Sequence, residues 1–348
     1  MKNLYIFIIT AFMSLLNINA QAIDVVTGLD EPTRIALNGN HLFFAQHSKI
    51  SKINITEETP LVTDVIDVNE PNGFGLIFNE NDLYISKTAD GVIFKIDITE
   101  ITPTLIDVVT GLDFPNKFVL NGNDLYFSQS LIGKISKIDI TETSPTVIDV
   151  IDGLNLPNGM VLNGDDLYIT EFNGNKISKI DITQTNPTAI DVVDGLNKPV
   201  ALALNNNDLY IAEFLGNKIS KIDITEATPN IVDIVTGLNE PIDLIFYGND
   251  LFISERGGNK ISKLENIILS TNEFLSNSKA TLYPNPSNTY IQVSGLIKTE
   301  NYKIYNAIGT EVLIGTTSNN EKINIENLAN GLYLLAFENR NTFKFIKI

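Results

Sequence analysis

Between Ile23 and Leu264 the apolar residues come in short runs cut by Asn, Gly and Asp, and the runs recur as one repeating unit. The unit is cleanest from Pro157 to Lys198. Leu83, Leu125, Leu167, Leu209 and Leu251 follow one another at 42-residue intervals, after a first copy at Leu42 that is slightly short. Prolines mark the copies at Pro32, Pro71, Pro115, Pro157, Pro199 and Pro241. Each copy holds four segments rich in Ile, Val, Leu, Tyr and Phe, bounded by turn residues, which predicts four short strands. Asn-Gly pairs such as Asn121-Gly122 and Asn163-Gly164 predict tight hairpins, because both turn positions tolerate positive φ. Strand alternation puts Leu167 and Ile169 on one face and Tyr168 on the other. A sheet apolar on both faces has to be covered on both, and radial stacking between two neighbours does this. The pattern therefore predicts an all-β chain with six copies arranged as a six-bladed β-propeller. Ile23–Leu29 matches the fourth strand of a unit, while the last copy stops after its third strand at Leu264. The N-terminal strand is thus expected to complete the last blade and close the ring, removing two open edges.

The remaining segments set the chain's boundaries. Lys2, the apolar run Leu4–Leu16 and Ala20-Gln21-Ala22 read as a secretory signal peptide over residues 1–20, cut after Ala20 or Ala22. The run is too short for a transmembrane anchor, and no later segment is apolar enough to span a bilayer. The propeller then covers 21–265, a mostly polar linker 266–280, and a final module 281–348. In that module, alternating segments at Tyr290–Val293, Tyr302–Tyr305, Glu311–Ile314, Ile323–Ile325, Leu328–Ala336 and Phe343–Ile348 predict a small C-terminal β-sandwich. The 42 Asp and Glu against 24 Lys and Arg give a net charge of −18, which repels phosphate and argues against nucleic-acid binding. The surplus is spread through the repeats, as on a solvated surface. There is no cysteine, so stability after export rests on packing, ring closure or bound cations.

The pattern Gly-Leu-x-x-Pro, then an apolar strand, Asp-Leu-Tyr-Ile-x-Glu and Gly-Asn-Lys-Ile-Ser-Lys-Ile resembles NHL-type propellers. It is also similar to their gluconolactonase (senescence marker protein) and streptogramin lyase relatives. The final module resembles the type A C-terminal sorting domain of the type IX secretion system of Bacteroidetes. The carrying motifs are Tyr283-Pro284-Asn285-Pro286, Tyr305-Asn306-x-x-Gly309, Leu328-x-x-Gly331-x-Tyr333 and Lys344-x-x-Lys347. This resemblance implies passage through the periplasm, contact of residues 281–348 with the type IX machinery, and release or anchoring at the outer-membrane surface.

Propeller architecture brings two sets of positions to one mouth of the channel. Two residues after the marker prolines stand Arg34, Gly73, Lys117, Gly159, Ala201 and Asp243. Four after the marker leucines stand Gln46, Lys87, Gln129, Glu171, Glu213 and Glu255. Glu171, Glu213, Glu255 and Asp243 form an acidic half that is a candidate site for Ca²⁺, while Arg34 and Lys117 form a basic half suited to a carboxylate or sugar acid. The competing expectation is that each glutamate only pins the hairpin that follows it. A gluconolactonase-like site implies a metal on Glu, Asn and Asp of inner loops, and Asn116, Asn158 and Asp243 are of those types. A streptogramin-type lyase implies histidine with a carboxylate, but the chain has only His41 and His47, both in the first copy. The function read from the sequence is an exported binding or scaffold module with a glycan, peptide or protein ligand. The alternative is a metal-dependent hydrolase or lactonase acting at the channel mouth.

Overall fold

The computed structural model describes residues 21–68, 75–267 and 281–348, the last without positions 295, 297, 298, 307, 308, 338 and 339. The expected signal peptide, most of the expected linker and Gly73 lie outside these residues. Two compact units form, one up to Ile267 and one from Ile268 onward. No helix of the described residues is long and apolar enough to cross a membrane.

The first unit is built from four-stranded antiparallel sheets, six of them among the described residues. In the clearest, strands Pro157–Asn163, Asp166–Glu171, Lys176–Asp181 and Ile190–Val193 pair in chain order, with Leu167 opposite Leu162 and Ile180. The turn residue Gly164 takes φ 60°, and Asn206 takes φ 53° at the same place one copy later, as the Asn-Gly signal requires. The sixth sheet takes strands from both ends of the repeats. Ile23–Thr27 pairs with Lys260–Leu264, beside Asp250–Glu255 and Pro241–Tyr247.

Both faces of each sheet are buried. Leu167 and Ile169 pack with Val119, Tyr126 and Ile135 of the preceding sheet. Tyr168 packs with Leu202, Leu209 and Ile211 of the following one. Full burial of such a side chain contributes about 1.5–3 kcal/mol, so the stack is held mainly between sheets. Leu29, Ile35, Phe44, Phe252 and Ile261 share one cluster, which sets the first sheet against the sixth. Ile267 is buried and its N–H donates to Asn249 O at 3.0 Å, so packing of the repeats runs through Ile267. On the sheet faces, Lys179 pairs with Asp166 at 2.7 Å and lies 5.8 Å from the Tyr168 ring centroid. The same rung recurs at Lys137, Asp124 and Tyr126.

The second unit has a three-stranded sheet of Thr281–Tyr283, Tyr290–Ser294 and Lys322–Asn324, and a four-stranded sheet of Glu311–Thr317, Glu300–Asn306, Gly331–Phe337 and Arg340–Lys347. One core joins them, including Ile291, Val293, Ile304, Leu335 and Phe345. The Tyr-Pro-Asn-Pro motif pins the last strand. Asn285 Nδ2 donates to Lys344 O and Ile346 N donates to Asn285 Oδ1, both at 2.9 Å. Tyr333 Oη donates to Ala329 O at 2.8 Å, which ties the Leu-x-x-Gly-x-Tyr turn to its own strand.

Deleting Ile23–Leu29 leaves Lys260–Leu264 as an open edge and uncovers Ile35 and Phe252. The expected cost is at least about 3 kcal/mol, or about 6–12 °C in Tm for a unit of this size. Thermal unfolding followed by circular dichroism checks this, and an unchanged transition would show that the strand carries no stability.

Candidate functional site

Four of the innermost strands start at the marker prolines Pro115, Pro157, Pro199 and Pro241, and all six converge. Arg34, just before strand Ile35–Asn38, is 3 % exposed and reaches across to four other sheets. Its Nε donates to Asn116 Oδ1 at 3.2 Å, and Nη2 donates to Asn116 Oδ1 at 2.9 Å and to Asn158 Oδ1. Its Nη1 donates to Ile242 O at 2.7 Å and to Val200 O at 3.4 Å. A guanidinium only donates, so both amide oxygens must face it, and Asn116 Nδ2 donates to Asn158 Oδ1 at 3.4 Å. Beside this layer, Lys117 Nζ donates to both oxygens of Asp243 at 2.8 Å. Asp243 is fully buried and its Oδ2 also accepts from Ile35 N at 3.1 Å. Burial pushes the Arg34 and Lys117 pKa values down and the Asp243 carboxylate pushes both up, while Arg34 further lowers Lys117. Two cations thus share one carboxylate.

The fourth and fifth inner strands approach closely beside these long side chains. A Cβ on Gly159 would lie 2.6 Å from Ala201 Cα and 2.7 Å from Val200 O, so the fourth and fifth inner strands meet too closely for a side chain there. The plug separates two openings. One is a cavity of about 350 Å³ whose wall includes Thr33, Arg34, His47, Phe114, Asn116 and Asn158. The other, of about 510 Å³, has Lys117 in its wall and is otherwise lined by apolar inner-strand residues such as Leu37, Leu120 and Leu162.

The residue before each described marker proline takes the left-handed backbone region: Glu31 (φ 45°), Phe114 (52°), Leu156 (57°), Lys198 (56°) and Glu240 (52°). For residues of this size that conformation is uncommon; it recurs in five copies, and Glu31 and Phe114 among them line the cavity. These rim residues differ sharply between copies. Around the first and sixth sheets the rim is ionic, with Glu31 Oε2 3.0 Å from Arg256 Nη2. Over the third to fifth it is apolar. Phe114 is 41 % exposed, Leu131 and Leu215 are exposed, Phe172 and Phe214 lie 6.3 Å apart, and Lys198 Nζ sits 4.9 Å from the Phe172 ring.

The proposed Ca²⁺ ligands do not come together. Glu171 accepts from Asn155 N at 2.8 Å and from Ser178 Oγ, with Lys176 at 3.3 Å. Glu213 repeats this with Asn197 N and Ser220 Oγ, and Glu255 with Asn239 N and Ser262 Oγ. Gln46 and Gln129 play the same part in their own sheets: the oxygen accepts from Asp30 N or Asp113 N, and the amide donates to Ser51 or Ser136. Each is therefore a brace within one sheet, and Asp243 is held by Lys117 in a different layer. Among the described residues no group of three or more His, Asp or Glu is placed to hold a metal ion. Lys87 breaks the brace, pairing with Asp90 at 2.5 Å, and Phe94 stands where the serine would be. Of the basic half, Arg34, Asn116 and Asn158 do meet, and Lys117 lies beside them. His47 is exposed in the cavity wall, and His41 starts a strand with its side chain exposed.

The sequence reading missed the buried hydroxyls that stitch the second strand of one sheet to the inner segment of the next. Ser86 Oγ donates to Asn116 O at 3.1 Å, Ser128 Oγ to Asn158 O at 3.2 Å, and Ser254 Oγ to Thr33 O at 2.5 Å. Their signal is a small hydroxyl at a fixed offset of three after the marker leucine.

Two substitution pairs test these assignments. Glu171→Gln is expected to shift Tm by less than about 3 °C, because Gln46 and Gln129 already serve as braces, whereas Glu171→Ala strands Asn155 N–H and costs about 1–3 kcal/mol. Calcium should not distinguish the two variants in a thermal-shift assay. Asp243→Ala strands two buried cations and is expected to cost about 3–5 kcal/mol, part of which Lys117→Met in the same chain restores. Urea unfolding of the single and double variants measures both.

Comparison with known proteins bears on each unit. Residues 281–348 match the secretion system C-terminal sorting domain family. No curated protein matches the chain. Among solved structures, a putative gluconolactonase is 12 % identical, with a TM-score of 0.58, over 71 % of this chain and 92 % of that one. A chain of a nidogen/laminin complex is 19 % identical, with a TM-score of 0.57, over 66 % and 90 %. Virginiamycin B lyase from Staphylococcus aureus is 16 % identical, with a TM-score of 0.52, over 70 % and 97 %. At these identities the likeness is one of fold. The chain therefore joins a β-propeller, of the fold shared by NHL-type, gluconolactonase-like and virginiamycin B lyase proteins, to a type IX secretion C-terminal sorting domain.

Proposed function

We propose that this chain is an exported binding or scaffold module that works at the cell surface or outside the cell. In this reading residues 1–20 are a signal peptide and residues 21–265 form a six-bladed ring closed by the N-terminal strand. Residues 266–280 link the ring to the sorting domain at 281–348, and the route runs through the periplasm. The pairing of Ile23–Thr27 with Lys260–Leu264 supports ring closure.

The observation that carries the binding reading is the position of Arg34. Its guanidinium lies among Asn116 Oδ1, Asn158 Oδ1, Val200 O and Ile242 O, a set of oxygens of the kind a hard cation takes. The protein's own cation fills that cage. Among the described residues lining the cavity, the one carboxylate, Glu31, is paired with Arg256. What faces the cavity is a group of donors and apolar surface, suited to holding a ligand. The hydrolase or lactonase alternative needs a bound cation, and the oxygens of that cage are taken by Arg34. A glycan, peptide or protein ligand at the mouth fits both the donors and the apolar rim, and the solved propellers of similar fold include a chain of a nidogen/laminin complex.

Removing Thr281–Ile348 is expected to trap folded, protease-resistant propeller in the periplasm, as read by cell fractionation. Normal recovery of that truncation at the surface or in the medium would refute the export part of this reading.

A further inference from the structure

We infer that the mouth cavity over Arg34 is a receptor for a small organic carboxylate that carries an apolar group. The inference rests on the mouth being the ligand site, as proposed above, and names what it takes.

Arg34 and Lys117 are set in the interior against the single carboxylate of Asp243, which both Lys117 and Ile35 N–H already occupy. The rim carboxylate Glu31 is taken up by Arg256. One positive charge at the cavity floor therefore has no internal counterion, in a chain whose net charge is −18. A buried unpaired charge is costly in low dielectric, and an anion entering the cavity offsets that cost.

Donor geometry points the same way. Arg34 takes the oxygens of Asn116 and Asn158, so neither amide nitrogen is spent on the guanidinium. Asn116 Nδ2 has only a long 3.4 Å contact with Asn158 Oδ1. Thr33 Oγ1, buried in a residue of the same wall, has no hydrogen-bond partner. These groups offer several donors above a guanidinium, the arrangement that favours a carboxylate over a neutral amide or hydroxyl. Phe114, Ala89 and Ile242 add apolar wall beside the polar Gln46, His47, Thr88 and the Glu31–Arg256 pair. Phe114 stays 41 % exposed although its backbone is held at φ 52°, so the ring stands at the edge of the cavity. A volume of about 350 Å³ suits one residue-sized group rather than an oligosaccharide.

The test uses the mature chain, residues 21–348, and isothermal titration calorimetry with four probes: N-acetyl-phenylalanine, its primary amide, acetate and glucuronate. The expected result is a preference of at least tenfold for N-acetyl-phenylalanine over its amide. That preference should weaken with added salt and disappear in Asn158→Ala. Acetate and glucuronate should bind more weakly than N-acetyl-phenylalanine, and Phe114→Ala, at an exposed position that leaves the fold intact, should remove that advantage. Asn158→Ala is read only if its unfolding transition stays cooperative; otherwise the Phe114→Ala comparison and the salt dependence decide. Equal binding of acid and amide, sensitive to Phe114→Ala, would overturn the carboxylate assignment and keep the mouth as the ligand site. Glucuronate binding as tightly as N-acetyl-phenylalanine would overturn the apolar requirement. Absence of binding by every probe would overturn this inference. The broader binding reading would then stand or fall on a glycan array and on capture of extracellular partners by wild-type chain but not by a Leu131→Asp, Leu215→Asp variant.

Discussion

The structure of the repeat unit depends on how a buried cation is accommodated where the inner strands meet. Arg34 bonds to groups from the third, fourth, fifth and sixth sheets while belonging to the first. A guanidinium spreads five donors in a plane, which lets one side chain satisfy carbonyls arriving from several directions. Lysine would present one point of charge and could not span them. The amide orientations of Asn116 and Asn158 follow from placing that fork there, while Gly159 answers the close approach of the fifth inner strand. Changing any one of them leaves either a clash or an unsatisfied group.

This also explains why the copies are nearly identical in their outer parts and unlike at the inner ones. Outside, each copy solves the same problem against equivalent neighbours, so Leu167, Tyr168 and Ile169 have counterparts in Leu209, Tyr210 and Ile211. At the centre the copies meet each other, and equal side chains cannot all occupy one small volume. Six arginines, or six aspartates, would repel. The inner positions must differ, and the difference is where chemical specificity enters.

The sheets were legible in the sequence because they are local. Turn residues at fixed spacing and apolar alternation specify strands that pair with their own neighbours in the chain. Arg34, Asn116, Asn158 and Lys117 were legible as inner residues because their offset from the prolines is regular, but Lys117 lies in the wall of the other opening. Their contacts were not legible, since these depend on side-chain reach across a space whose width no local pattern encodes. The acidic set failed for the same reason. Glu171, Glu213 and Glu255 recur every 42 residues, which puts them at the same place in successive sheets. That spacing relates them by a step from sheet to sheet and says nothing about convergence. Their partners, Ser178, Ser220 and Ser262, lie seven residues on and could have been paired with them from the repeat alone.

The exchange of glutamine for glutamate at that brace shows how a charge can be carried without a functional site. Gln46 donates to Ser51, whose hydroxyl then turns outward to Asp64 at 2.8 Å. Glu171 accepts from Ser178 instead, so the hydroxyl turns inward, and Lys176 bridges Glu171 and Asp191 at 3.3 and 2.5 Å. One rotation of a serine hydroxyl converts a neutral brace into a charged one with the backbone bond to residue i−16 unchanged. A lysine at the start of the next strand is already present in both versions, at Lys49 and at Lys176, and pairs with the outer-strand aspartate in each. The carboxylate therefore joins an existing ion pair and does not create a new charge that must find a ligand. A glutamate repeated in several copies of a propeller is evidence of a cation site only when its own loop leaves its oxygens free.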